Sequence, residues 1–227
     1  MSLLIMARLR RALTIAMMGG ALASRLASQA TGVPVRNAGA GQGISAGVDL
    51  GLGRIDRAGE GTDDVSRAVA GSATLGFGPL GASLGLSRTS IDPATGPDRT
   101  RTAMFATAEL TVFGGPLVPL RVVWQAGYAR QLDGGSKPPW RGSFGIGAGL
   151  TIPAAVVSIR PWIAPRVDYL AGQRVAGERL KPSLSAGIDL GFLNGLGVRV
   201  AYDHRLGWDE AIERAAGVSV GVRYHFR

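Results

Sequence analysis

From about residue 42 onward, apolar residues recur at every second position, with small or polar residues between them. A period of two marks strands with one apolar face. The first such stretch, about Gly43 to Gly53, sets Ile44, Ala46, Val48, Leu50 and Leu52 against Ser45, Gly47, Asp49 and Gly51. The second carries Val69, Ala73, Leu75 and Phe77 and is the most weakly patterned. A third runs Leu80, Ala82, Leu84, Leu86, and a fourth Met104, Ala106, Ala108, Leu110, Val112, with Phe105, Thr107, Glu109 and Thr111 on its other face. The fifth has Leu120, Val122, Trp124, Ala126 and Tyr128; the sixth has Phe144, Ile146, Ala148, Leu150 and Ile152. The seventh sets Ile159, Ile163, Val167 and Tyr169 against Arg160, Trp162, Ala164, Arg166 and Asp168. It also holds Pro161 and Pro165, each of which removes a ladder hydrogen bond, so a bulge or a shortened strand is expected there. The eighth ends Ile188, Leu190, Phe192; the ninth carries Val198, Val200 and Tyr202; the tenth alternates Val218, Val220, Val222, Tyr224 and Phe226 up to the penultimate residue.

The connections alternate as regularly as the strands. Long charged segments (54–64, 88–101, 130–141, 171–181, 205–214) take turns with short uncharged ones at Gly78-Pro79, Gly114–Pro119, Pro153–Ser158 and Leu193-Asn194-Gly195. The Asn-Gly pair suits a tight hairpin. The count is ten strands, with eight as the alternative. On a soluble barrel the non-core face meets water and carries Lys, Glu, Thr and Gln. Here that face is mostly Gly and Ser, and Gly inside a strand needs a reason. A crowded interior supplies one, because small residues leave space for a few long side chains.

The closing stretch, Ala216 to Arg227, resembles the last strand of bacterial outer-membrane β-barrel proteins, with its alternating apolar residues and Phe226 next to the end. That resemblance covers about nine-tenths of the chain after its leader and implies an all-β, transmembrane, up-and-down antiparallel barrel in the bacterial outer membrane. It implies that Val222, Tyr224 and Phe226 act as an assembly signal. It further implies that the partners are outer-membrane lipid and lipopolysaccharide, the assembly machinery and periplasmic chaperones. Tight turns on one side and long loops on the other suit that architecture. So does the charge distribution. Beyond the leader, every carboxylate falls in an expected loop or on the Gly/Ser face, and so does every base except Arg36, Arg67 and Arg227. Lipid requires an uncharged outer face, since Arg or Lys at mid-depth costs about 2–4 kcal/mol. Phe77, Phe192 and Phe226 at one margin, and Tyr128, Tyr169 and Tyr202 at the other, form two aromatic girdles.

Residues 1–30 read as a secretory signal peptide: Arg8, Arg10 and Arg11, an apolar run from Ala12 to Ser24, and a small-x-small site at Ser28-Gln29-Ala30. Met6 is an alternative start to Met1. Residues 31–41 form a short periplasmic lead and 42–227 the barrel. The formal charge is +9, of which four positive charges (Arg8, Arg10, Arg11, Arg25) lie in the leader, leaving +5. The remaining Arg are scattered rather than clustered, which argues against nucleic acid. With no Cys there is no disulfide framework and no thiol chemistry.

Gly76-Phe77-Gly78-Pro79-Leu80-Gly81 fits a dinucleotide fingerprint by spacing, but it leads into a strand rather than a helix. Asp203 and His204 are neighbours on a strand, so they point to opposite faces. No catalytic residue, metal site or cofactor is assigned, and the chain is read as not an enzyme. The informative group is the set of inward charges: Asp49, Glu109, Arg121, Arg160, Arg166, Asp168, Asp189, Arg199, Asp203 and Arg223. A selective pore shows rings of one sign; a near-balanced set suits an ion-pair network. Arg121, Arg160, Arg166 and Arg199 are expected to close the lumen by pairing with Glu109, Asp168, Asp189 and Asp49. The function expected is therefore a structural or surface-interaction barrel. A narrow passive pore for small solutes is the alternative, followed by an outer-membrane enzyme or ligand binder.

Overall fold

The computed structural model describes residues 43–57, 63–93, 96–114, 118–133, 140–171, 180–209 and 212–226. The expected signal peptide and periplasmic lead lie outside them. The described elements are β1 (Gly43–Arg57), β2 (Asp63–Phe77), β3 (Leu80–Asp92), β4 (Arg99–Phe113), β5 (Leu120–Gln131), β6 (Trp140–Leu150), β7 (Ile152–Pro153), β8 (Val157–Ala171), β9 (Leu180–Phe192), β10 (Leu196–Asp209) and β11 (Ile212–Phe226). Each long strand pairs antiparallel with its sequence neighbours, and β1 pairs with β11, from Ile44 opposite Phe226 to Arg57 opposite Ile212. That last ladder closes the sheet, so ten long strands make a closed barrel with no edge.

The dimensions follow from the register. Stepping sideways from Gly43 passes Gly76, Gly81, Glu109, Gln125, Gly145, Arg166, Ser183, Arg205 and Ala215, and returns to β1 at Ile55. A stagger of that size around ten strands tilts them by about 40° from the barrel axis. Each residue then climbs about 2.5 Å along the axis, and β1 rises about 25 Å between Ile44 and Arg54. That is the height of the apolar band on barrels that cross a membrane. The outer face fits it: Ile44, Val48, Leu50, Leu75, Leu84, Leu110, Trp124, Phe144, Ile146, Val200, Val220 and Val222 are all exposed. In water so much contiguous apolar surface would be an aggregation site; in lipid it is the solvated face.

The strands run further than the apolar alternation does. β1 continues to Arg57, β3 to Asp92, β5 to Gln131, and β4 begins at Arg99. Arg54, Arg88 and Arg130, which the sequence places in loops, instead stand exposed between buried neighbours on outward positions of β1, β3 and β5. The hydrophobic signal stops where the lipid stops, but the ladder continues because its hydrogen bonds are made by the backbone.

The prolines also behave differently from expectation. β8 is a full 15 residues, with no bulge and an unbroken ladder to β9 through Pro161 and Pro165. The ladder to β6 and β7 keeps one register but lacks the pairs opposite Pro165 and Pro161. β7 is thus the continuation of β6 beyond the gap at Pro161. Both prolines lie on the same face and withdraw their missing donors from the same neighbour, so the strand neither bends nor slips.

Inward glycines seat the large inner side chains. A Cβ at Gly85 would collide with the Phe105 ring, one at Gly187 with the Trp162 indole, one at Gly145 with Arg166 and one at Gly221 with the Asp49 carboxylate. The Gly-rich face is the complement of the few bulky residues packed on it. Gly76 to Gly81 is a β2–β3 hairpin turning at Gly78-Pro79, where Gly78 has a φ of 57°; it is not a nucleotide loop.

Candidate functional site: the charged lumen

The inner face carries its charges at two levels. The upper group, toward the long connections, lies along the wall made by β6, β8, β9 and β10. Arg166 donates from Nη2 to Asp203 Oδ1 at 2.6 Å, from Nε to Asp168 Oδ1 at 3.3 Å, and from Nη1 to the Ser185 hydroxyl. Ser183 donates to Asp168 at 2.6 Å and Ser185 to Asp203 at 2.7 Å. Arg141 approaches Asp168 to 3.4 Å and Arg205 approaches Asp203 to 2.8 Å. Three guanidiniums therefore hold two carboxylates that also accept hydroxyl hydrogen bonds, the condition under which a buried charge is tolerated. The facing wall at this level mixes apolar and hydroxyl side chains, with Ala68, Ala70, Ala103, Phe105, Ser87 and Thr89 buried.

The lower group lies nearer the short turns. Arg199 forks onto Asp189, with Nε to Oδ1 at 2.9 Å and Nη2 to Oδ2 at 3.1 Å. Trp162 Nε1 donates to the same Oδ1 at 3.1 Å, and the Arg199 guanidinium lies 6.0 Å from the Trp162 ring centroid. Asp49 sits over Gly221, Glu109 is buried, and Arg121, Arg160 and Arg223 are half-buried on the inner face.

Arg199 and Arg166 thus engage carboxylates of the expected set, Arg166 taking Asp203 as well as Asp168. Arg160 does not: its Nε is buried without a hydrogen-bond partner. Arg141 and Arg205, which the sequence places in loops, are members of the network. Their phase could have found them, since Arg141 is two residues before inward Ser143 and Arg205 two after inward Asp203.

The lumen is filled from both walls at several levels. Phe105 and Val123 are 0% exposed, Ser66 1%, Arg141 and Asp203 2%. Outside, Phe77, Phe192 and Phe226 are exposed at the turn end, and Tyr128 and Tyr202 toward the other, with Tyr169 half-buried. Trp140 bridges two of these tyrosines, its ring 5.8 Å from Tyr128 and 5.5 Å from Tyr169. His204 faces outward, 3.2 Å from the Tyr202 hydroxyl, while Asp203 faces the lumen.

No protein-family model and no curated protein sequence matches the chain. Solved structures do. The β domain of the Bordetella autotransporter BrkA superposes with a TM-score of 0.51 at 16% identity, over 81% of this chain and 99% of that one. LpxR from Salmonella typhimurium gives 0.51 at 6% identity, over 80% and 100%. The outer membrane protease OmpT from Escherichia coli gives 0.44 at 11%, over 81% and 96%. At such identities the likeness is one of fold. The chain has the fold of bacterial outer-membrane β-barrels, and with its exposed apolar band it is a protein of that membrane.

Proposed function

We propose that this protein is a closed structural barrel of the outer membrane, whose lumen is plugged by side chains and whose outward surfaces make its contacts. One observation carries the reading: inner-face residues of opposite walls, Phe105 on β4 and Asp203 on β10, are almost inaccessible to solvent, and Val123 of β5 is buried in one cluster with Trp162 of β8 and Ala201 of β10. An open pore would wet them. In planar bilayers the refolded wild type is expected to give no steady conductance, or brief flickers only. A stable open level would replace the plug with a narrow pore for small solutes.

Asp203 and His204 point to opposite sides of the wall, so they form no dyad.

The lipid partner has a candidate contact surface. Arg67 on β2 lies diagonally across the ladder from Arg88 on β3, because Arg67 pairs with Ser90 and Arg88 with Val69. Arg130 on β5 pairs with Met104, two residues beyond the Thr102 that faces Arg88. All three are exposed, as is Arg54 on β1 about 25 Å above the turn-side edge. The other side of the barrel presents Trp140, Tyr169 and Tyr202 instead. A row of arginines just above an apolar band suits the phosphates of lipopolysaccharide, which accept forked hydrogen bonds. Replacing Arg67, Arg88 and Arg130 with Gln is expected to lower co-purifying lipopolysaccharide severalfold, read by phosphate assay on detergent-extracted barrel. Unchanged lipid content would remove this surface from the account.

A further inference from the structure

A second feature of the lumen lies below the plug. At the turn-side mouth a cavity of about 500 Å³ is lined by Ser158, Arg160, Asp189, Arg199, Arg223 and His225, among others. The charges on its wall do not balance: three guanidiniums face it against one carboxylate, a net +2. That carboxylate is spent, since both Asp189 oxygens are taken by Arg199 and Trp162. Arg160 and Arg223 make no hydrogen bond or ion pair with another described residue, and the Arg160 Nε is buried as well. Asp49 stands on the adjoining strand, opposite Gly221 and diagonal to Arg223, and forms no ion pair with it among the described residues.

Two guanidiniums turned into one part-enclosed space, with no carboxylate in contact, call for an anion. Water hydrates them, but the electrostatic interaction with a counter-charge strengthens as a site is enclosed. The arrangement selects among anions. Guanidinium forks match the paired oxygens of a phosphate. A net +2 is neutralised by one dianion. A cavity of about 500 Å³ lies within the usual range for small-molecule sites, which leaves space for an organic group beside the phosphate. Ser158 and His225 on the same wall offer further polar contacts to that group.

We propose that this vestibule is a binding site for a small phosphate monoester entering from the periplasm, held chiefly by Arg160 and Arg223. The inference rests on the plugged-lumen reading for its inner wall: the ligand binds at a blind end and is not conducted.

The test is isothermal titration of refolded barrel in a neutral, lipid-free detergent, with glycerol phosphate as probe and inorganic phosphate and glycerol as comparisons. Saturable binding of glycerol phosphate is expected, weaker binding of inorganic phosphate, and none of glycerol. Arg160→Gln combined with Arg223→Gln should weaken it about tenfold or more. Arg99→Gln, exposed at the start of β4 at the far end of the barrel, should leave it unchanged and so separates the site from a general loss of positive charge. The absence of saturable binding, in protein shown to be folded by its heat-modifiable gel shift, would overturn the site. So would binding that the double variant retains. Conductance recorded on the same preparation separates the two proposals: binding by an open pore overturns the plug alone, and a closed barrel that binds nothing overturns the site alone.

Discussion

Val48→Arg is expected to cost about 2–4 kcal/mol in a refolding titration into lipid bilayers, and so are Leu84→Arg and Ile146→Arg. Val48 lies opposite Val222 on the closing ladder and is half exposed on the outer face. It is four residues above Ile44, or about 10 Å along the axis at the strand tilt derived from the register. Leu84 and Ile146 reach the same height on their strands once the stagger is counted. All three therefore sit near the middle of the apolar band, where a guanidinium has neither water nor a carboxylate to meet. Depth, not substitution, should set the cost. Ser90→Arg, also on the outer wall but opposite Arg67 at the level of the arginine row, should cost about 0–1 kcal/mol. Val48→Leu should cost less still, because it keeps the face apolar. Equal penalties at Val48 and Ser90 would mean that the band is not embedded in lipid.

That the band could be drawn from the sequence at all reflects one physical fact. Lipid imposes its rule on every outward side chain at once, and alternation makes the rule visible. The ten strands, the Gly78-Pro79 and Asn194-Gly195 turns, and the inward phase of Phe105 and Trp162 all follow from it. What the sequence conceals is whatever the backbone does without help from apolar side chains. Above the membrane the ladders continue through Arg54, Thr89, Arg101, Arg130 and Arg141, and nothing in the hydrophobicity of those residues separates strand from loop. The same gap hid Arg141 and Arg205 from the lumen network. The prolines of β8 show the opposite failure. Their effect on one ladder was foreseeable, but the shared face that lets β9 hold the strand straight depends on which neighbour each amide points to, and composition does not carry that. The pairing of individual charges was legible only in part for a related reason. Alternation says that a residue faces inward; stagger decides what it meets. Arg199 meets Asp189 because the β9–β10 register sets them opposite one another. Arg166 meets Asp203, two strands away, because its side chain is long enough to pass Ser185.

Arg166 is also where the plug should be weakest to substitution. Its guanidinium holds Asp203, Asp168 and Ser185 together. Arg166→Ser leaves Asp203 with Arg205 and Ser185, and Asp168 with Arg141 and Ser183. Removing one partner from a buried ionic cluster costs about 3–5 kcal/mol where the remaining charge stays dry. In a lumen the remaining carboxylates have another recourse, since water can enter through the space that the side chain vacates. The expected result is therefore a modest loss of refolding stability together with a new, steady conductance. The sign of its selectivity follows from the charges left behind. Arg166→Ser lowers the upper group from three guanidiniums against two carboxylates to two against two, so this level becomes neutral and the opened path should prefer anions only as far as the vestibule below it does. Asp203→Asn leaves three guanidiniums against one carboxylate, and any path it opens should lean toward anions. Reversal potentials that differ in this order in a salt gradient, from two variants of a barrel that is itself closed, would be hard to obtain unless this cluster is the obstruction. If the wild type already conducts steadily and the two variants alter only the reversal potential, the cluster is a selectivity ring in an open pore and the plug is wrong.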